Sequence, residues 1–127
     1  EAEIVRCINE SLALKYRTAL EEIEDCTDKK YSKLYMLGGG IQSRLLSQMT
    51  ANACNIKVYG GPVEATVLGN IAIQLIASGN IKDLKEARRI INDSHNIDEY
   101  IPKESKLWDK EFSRFKKIIK KGELIKC

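Results

Sequence analysis

Between Leu34 and Asn70 the chain runs twice through one order of parts: a short apolar run, a glycine turn, then a stretch with helical spacing. The first run is Leu34-Tyr35-Met36-Leu37. It ends in Gly38-Gly39-Gly40 and leads into a helical pattern from Ile41 to about Asn55. There Ile41, Leu45, Leu46, Met49 and Ala53 share one side. The second run is Ile56–Tyr59, followed by Gly60-Gly61-Pro62 and the stretch Val63–Ser78. Strand-like runs that alternate with helical stretches place the chain in the α/β class. Ser32–Leu37 reads as a strand, and its nearly continuous apolar character predicts cover on both faces.

The first turn has specific physics. Consecutive glycines let the backbone take positive φ and lie close to a ligand with no Cβ in the way. The following helix points unsatisfied N–H groups and the positive end of its dipole at the turn. Together these make a seat for a phosphate or another electron-rich group. A triple glycine is also an ordinary flexible turn, so the motif gains weight only from its surroundings.

The flanks carry further helices. From Glu1 to about Asp25, Val5, Ile8, Leu12, Tyr16, Ala19, Leu20 and Ile23 recur at three and four as one apolar stripe. Glu21, Glu22, Glu24 and Asp25 crowd the end of that helix and oppose its dipole, which predicts fraying. Val63–Ser78 is apolar nearly all round and should be buried. Pro62 suits its first position. Gly69, unfavourable within a helix, reads as a point of close backbone approach, and Glu64 as a cap or a charge favoured by the dipole. Gly79-Asn80 should end this helix. Asp83 with Glu86 should cap a short helix to about Asn92, with Leu84, Ala87, Ile90 and Ile91 facing in. Ser94–Pro102 reads as loop. Trp108, Phe112, Phe115 and Ile119 form a last stripe, backed by Lys116, Lys117, Lys120 and Lys121 and ended by Gly122. Such a helix usually docks on its own domain with a solvated basic face.

A chain of 127 residues makes one small domain. Its net charge of +3 is too small to argue for nucleic acid. No apolar run nears the roughly 18–20 residues that span a bilayer, and no signal-peptide pattern opens the chain. The expectation is a cytoplasmic protein without membrane or nucleic-acid partners. Cys7, Cys26, Cys54 and Cys127 form no CxxC pair and the lone His95 is near none of them. Reduced, partly buried thiols are expected rather than a metal site.

The residues around the two turns resemble the C-terminal domain of the FGGY family of carbohydrate kinases. The resemblance rests on Gly38-Gly39-Gly40, then Arg44-Leu45-Leu46-Ser47-Gln48, Ala51 and Ala53. It continues in Gly61-Pro62-Val63-Glu64-Ala65-Thr66, Gly69-Asn70 and Gln74. Within the family the run from Gly61 to Asn70 is similar to the branch that acts on L-rhamnulose. The match covers roughly residues 1–100, which is only the last part of a full kinase. With Glu1 in first place and no Met, this suggests a fragment.

The resemblance implies a fold and a role. The fold would be part of a ribonuclease-H-like (actin-like ATPase) domain: about two parallel strands with four to five helices, lacking three strands upstream. Residues 1–102 would be the C-terminal half of that domain and 103–127 a C-terminal amphipathic helix. The whole enzyme would move the γ-phosphate of ATP, with Mg²⁺, to the 1-hydroxyl of L-rhamnulose. This part would carry the nucleotide side of the cleft, with Gly39 as the main contact and Gly38 and Gly40 forming the turn. Ser43 stands where many family members have Asn near the adenine. The family's phosphate-holding Asp-Gly-Thr segment and its catalytic aspartate have no counterpart here, so the fragment alone should be inactive and catalytic residues and sugar contacts lie elsewhere. Unpaired strand edges and uncovered apolar faces predict self-association. Branches acting on L-fuculose or D-xylulose, or a non-catalytic nucleotide-binding module, are the alternatives.

Overall fold

The computed structural model describes residues 1–124. Helix α1 (Ala2–Thr27) leads to strand β1 (Lys33–Met36), a 3₁₀ turn (Gly39–Gln42) and helix α2 (Arg44–Cys54). Strand β2 (Lys57–Gly60), helices α3 (Ala65–Ala77) and α4 (Leu84–Ser94), strand β3 (Asp98–Tyr100) and helix α5 (Ser105–Leu124) follow. The sheet order is β1-β2-β3. β1 and β2 run parallel, with Leu34 beside Val58 and Met36 beside Gly60. The expected parallel pair and helix number are therefore present. The third strand corrects the reading of Ser94–Pro102 as loop: β3 pairs antiparallel with β2, Tyr100 beside Val58 and Asp98 beside Gly60. Asp-Glu-Tyr carries no apolar alternation. It is a strand because β2 offers it an edge.

The main core lies between three helices. Ala13 and Leu14 of α1 meet Met49 and Ala53 of α2 and Trp108 and Phe112 of α5, with Phe115 packed against them. The stripe read on α1 does not face this core. Val5, Ile8, Leu12, Tyr16 and Ile23 are exposed, and the helix buries the side bearing Ala13 and Leu14. Ala13 and Leu14 are the residues of α1 that reach the contact with α2. The acidic end of α1 is held rather than left open, and the helix runs on to Thr27. Glu21 pairs with Arg17 and Lys116, and Glu24 with Lys30. Asp28, at φ 50°, closes the helix with its N–H on the Glu24 carbonyl.

The third helix departs most from expectation. Only Ala72 of α3 is buried, while Val67, Ile71 and Ile73 stay half exposed. α3 packs on α4 around a small second cluster of Ala72, Ile81 and Ala87, with Ile76 and Ile91 against it. Leu84 and Ile90, expected inward, lie on the open side. Pro62 precedes α3 by three residues rather than starting it, and a Cβ at Gly69 would meet nothing within 4 Å, so no close approach occurs there. Glu64 takes the N-cap position without a side-chain bond. The two caps that follow behave as read: Gly79 is left-handed at φ +75°, and Asp83 accepts from the Glu86 N–H at 2.9 Å. Gly122 does not end α5, which continues to Leu124. β1 is covered on one face only: Leu34 and Met36 are half-buried, whereas Tyr35 and Leu37 are more than half exposed. Cys54 is buried and Cys7 and Cys26 are exposed; Cys127 lies outside the described residues.

Candidate functional site

Both glycine turns leave the carboxyl ends of the parallel pair β1 and β2. That is where ligands bind in open α/β sheets, because helix N-termini and strand ends converge there. The Gly61 N–H donates to the Met36 carbonyl at 2.9 Å and joins the two turns. A Cβ on Gly61 would meet the outer methyl of the exposed Leu37 side chain, which would have to swing aside.

The first turn is different. Gly38 sits at φ 78° and ψ −165°, a conformation that L side chains avoid. Gly39 and Gly40 continue in a 3₁₀ turn closed by Ile41 N–H on the Gly38 carbonyl and Ser43 N–H on the Gly40 carbonyl, both at 3.3 Å. A Cβ at either residue would meet no protein atom within 4 Å. Neither strain nor packing asks for glycine at 39 and 40. What the two positions offer is bare, exposed backbone beside a helix N-terminus.

Ser43 is the hinge between the turn and α2. It stands at the N-cap rather than in the first helical turn, and its Oγ accepts the Leu46 N–H at 3.2 Å. The hydroxyl therefore has one acceptor role already filled and keeps its proton to donate. The first turn of α2 has no acidic residue and begins with exposed Arg44, so the dipole's positive end is unopposed. All four residues singled out by sequence, Gly38, Gly39, Gly40 and Ser43, thus fall on one continuous turn. The arrangement can hold an anionic or electron-rich group by backbone N–H donors and field. Ser43 is the one residue of the four that has a polar side chain. Among the described residues no three His, Cys, Asp or Glu side chains gather in a way that could hold a metal ion.

Behind α2 lies a feature that the sequence reading passed over. Asn52 is buried, and its Oδ1 accepts from Gln48 Nε2 at 2.8 Å and from the Lys103 N–H at 2.9 Å. Gln48 Nε2 also donates to the Ile101 carbonyl at 2.8 Å, and Ser105 Oγ to Asn55 Oδ1 at 2.7 Å. The available signal was the polar spacing 48, 52, 55 on a helix whose other positions are mainly apolar or small. At the same end of α2, burial pushes the Cys54 thiol up to about 11. On the open sheet face, Tyr35 and Tyr59 stack at 5.3 Å. There Lys57, bonded at 2.8 Å, and then the Tyr59 hydroxyl hold the Glu99 carboxyl below its usual range.

Residues 1–78 match the C-terminal domain of the FGGY family of carbohydrate kinases. A rhamnulokinase of Bacteroides thetaiotaomicron is 40% identical over 118 residues, which cover 93% of this chain and 24% of that protein. The chain thus spans about a quarter of the length of this relative.

Proposed function

The chain belongs to the FGGY family of carbohydrate kinases, and on that premise we propose that it forms the nucleotide side of the cleft in a longer sugar kinase. Its substrate would be L-rhamnulose, phosphorylated at the 1-hydroxyl by ATP. Similarity to a rhamnulokinase supports that choice of sugar. The observation that carries the nucleotide reading is the vacant space at Gly39 and Gly40, where glycine has no reason internal to the chain. A bound nucleotide supplies that reason, because its close approach excludes a side chain.

In this reading Gly39 makes the main contact, Gly38 and Gly40 shape the turn, and the Ser43 hydroxyl donates toward the base. The unopposed α2 N-terminus, with Arg44, favours the negative charge of the phosphates. Phosphoryl transfer is mostly positioning and charge stabilisation. This chain contributes positioning, while the proton-accepting aspartate and the sugar contacts come from the rest of the parent. Mg²⁺ would travel with the nucleotide and be held by carboxylates outside this chain, since its own acids form no such cluster among the described residues. The fold would be the second half of a ribonuclease-H-like domain within residues 1–102, with 103–127 an appended helix, the protein would work in the cytoplasm, and the isolated fragment would be inactive.

The test is ADP release by the full-length parent with L-rhamnulose, L-fuculose and D-xylulose, with and without Gly39→Val. Turnover on L-rhamnulose alone, lost in the variant, is the expected result. Turnover on another of the sugars overturns the substrate. Absence of turnover on all three overturns the kinase reading.

A further inference from the structure

We propose that Asn52, with Gln48, is a positioning residue for nucleotide binding: it pins the segment Ile101–Ser105 along the back of α2 and so fixes the glycine turn at the front. This deepens the nucleotide reading and rests on it. Gln48 and Asn52 lie four apart on one stripe of α2, and Asn55 is the left-handed residue that closes the helix. They meet residues 101, 103 and 105, every second position of the connecting segment. Beyond Lys103 the left-handed Glu104 turns the segment into α5, which begins at Ser105. The connection therefore lies alongside α2 in register, and a slip by one residue would lose every contact.

A second observation marks this register as imposed. Glu104, between the last two contacts, sits at φ 55°. A non-glycine residue in that region persists only where its neighbours over-determine it. From Glu104 the chain enters α5, whose Leu107 N–H donates back to the Glu104 carbonyl at 2.9 Å. The same register sets Trp108 and Phe112 on Leu14, Met49 and Ala53. Helix α2 is thus held between α1 and α5 along its rear half, while its front end carries the turn through Ser43. Loss of the Asn52 acceptor leaves the Lys103 N–H without its partner. The segment then lifts and α2 gains freedom to tilt, which moves Gly39 and Gly40 relative to β1.

The experiment compares Asn52→Leu with Asn52→Asp in the full-length parent. Leucine removes the acceptor at similar volume; aspartate keeps it. The expected result for Asn52→Leu is a KM for ATP raised by roughly fivefold or more, with kcat and the sugar KM within about twofold, and recovery in Asn52→Asp. Amide hydrogen exchange at residues 39–43 of the nucleotide-free protein should speed up in Asn52→Leu and return to normal in Asn52→Asp. An unchanged KM for ATP together with unchanged exchange overturns the proposal. So does a loss confined to the active fraction, with lower kcat at constant KM, which is what a merely structural role gives. If Asn52→Leu fails to fold, Gln48→Met removes the bond to Ile101 at a less buried site. Normal exchange and normal KM in that variant overturn the proposal equally. Faster exchange in a parent that turns over no ATP sinks the kinase reading and leaves the positioning role standing.

Discussion

At the scale of single residues, the glycines divide by cause. Gly38 is set by φ and Gly61 lies against the movable end of Leu37, whereas Gly39 answers to neither. Gly39→Val should therefore leave the thermal midpoint nearly unchanged and weaken ADP binding by about tenfold or more, measured by calorimetry on the parent. A drop in the midpoint equal to that of a core substitution would refute the division. Cys54 gives a second prediction. Its thiol, raised from 9.0 to about 11 by burial, holds its proton more tightly in the folded state than in the unfolded one. Its contribution is complete below pH 9 and is lost as pH rises through about 11, on the order of 3 kcal/mol in all. Urea unfolding at rising pH should show that decline, and Cys54→Ala should flatten it. At neutral pH a thiol reagent should modify exposed Cys7 and Cys26 and spare Cys54 until the chain unfolds.

Among the elements, α5 has more to do than its amphipathic pattern suggests. Phe112 is buried, with the Arg17 guanidinium 4.2 Å and the Lys116 ammonium 4.4 Å from its ring centre. Arg17 reaches on to Asp109 at 2.7 Å, and Lys116 to Glu21 at 2.7 Å. Aromatic burial, two cations and their carboxylates thus tie α5 across α1. Phe112→Ala should cost about 3–5 kcal/mol in denaturant unfolding. Asp83→Ala, which removes only the cap of α4, should cost about 1 kcal/mol. Comparable losses from the two would mean that α5 is not the brace of the core. The stripe on α1 carries a separate lesson. Its periodicity was legible as Val5, Ile8, Leu12, Tyr16 and Ile23, yet the structure turns that face outward. Periodicity identifies a face that wants cover; it does not say which of two faces a given neighbour takes. Ala13 and Leu14 take the contact with α2 instead.

For the whole molecule, exposed area is the informative quantity. A self-sufficient monomer of 14.4 kDa exposes about 6,800 Å² by the usual scaling with mass. This chain exposes 9490 Å². The excess, roughly 2,600 Å² by that scaling, is several times what one partner gives to a standard interface. It includes the α1 stripe, the open faces of β1 and α3, and a groove between α1 and β1 of about 420 Å³ lined by Leu20, Ile23, Leu34 and Leu37. β1 also has β2 on only one side. The isolated 127-residue chain should therefore self-associate. Light scattering across a concentration series should give masses above 14.4 kDa. A clean monomer at high concentration would count against this. The same surface is what a part of a longer kinase would expose when taken by itself.

The sequence by itself determined the order of elements from α1 to α4, the parallel run of the first two strands as the resemblance implied it, and the continuity of Gly38, Gly39, Gly40 and Ser43 in one turn. These follow from local pattern: glycine conformational freedom, cap chemistry and the alternation of strand-like and helical stretches. Only the tertiary structure decided that Asp98–Tyr100 is a strand, that α1 buries the side bearing Ala13 and Leu14, that α3 stays largely exposed and that Gln48, Asn52 and Asn55 grip a segment some fifty residues away. Each of these depends on what stands opposite. A polar tripeptide becomes a strand when β2 offers an edge, and an apolar helix stays largely exposed when only α4 and the residues before it pack against it among the described residues.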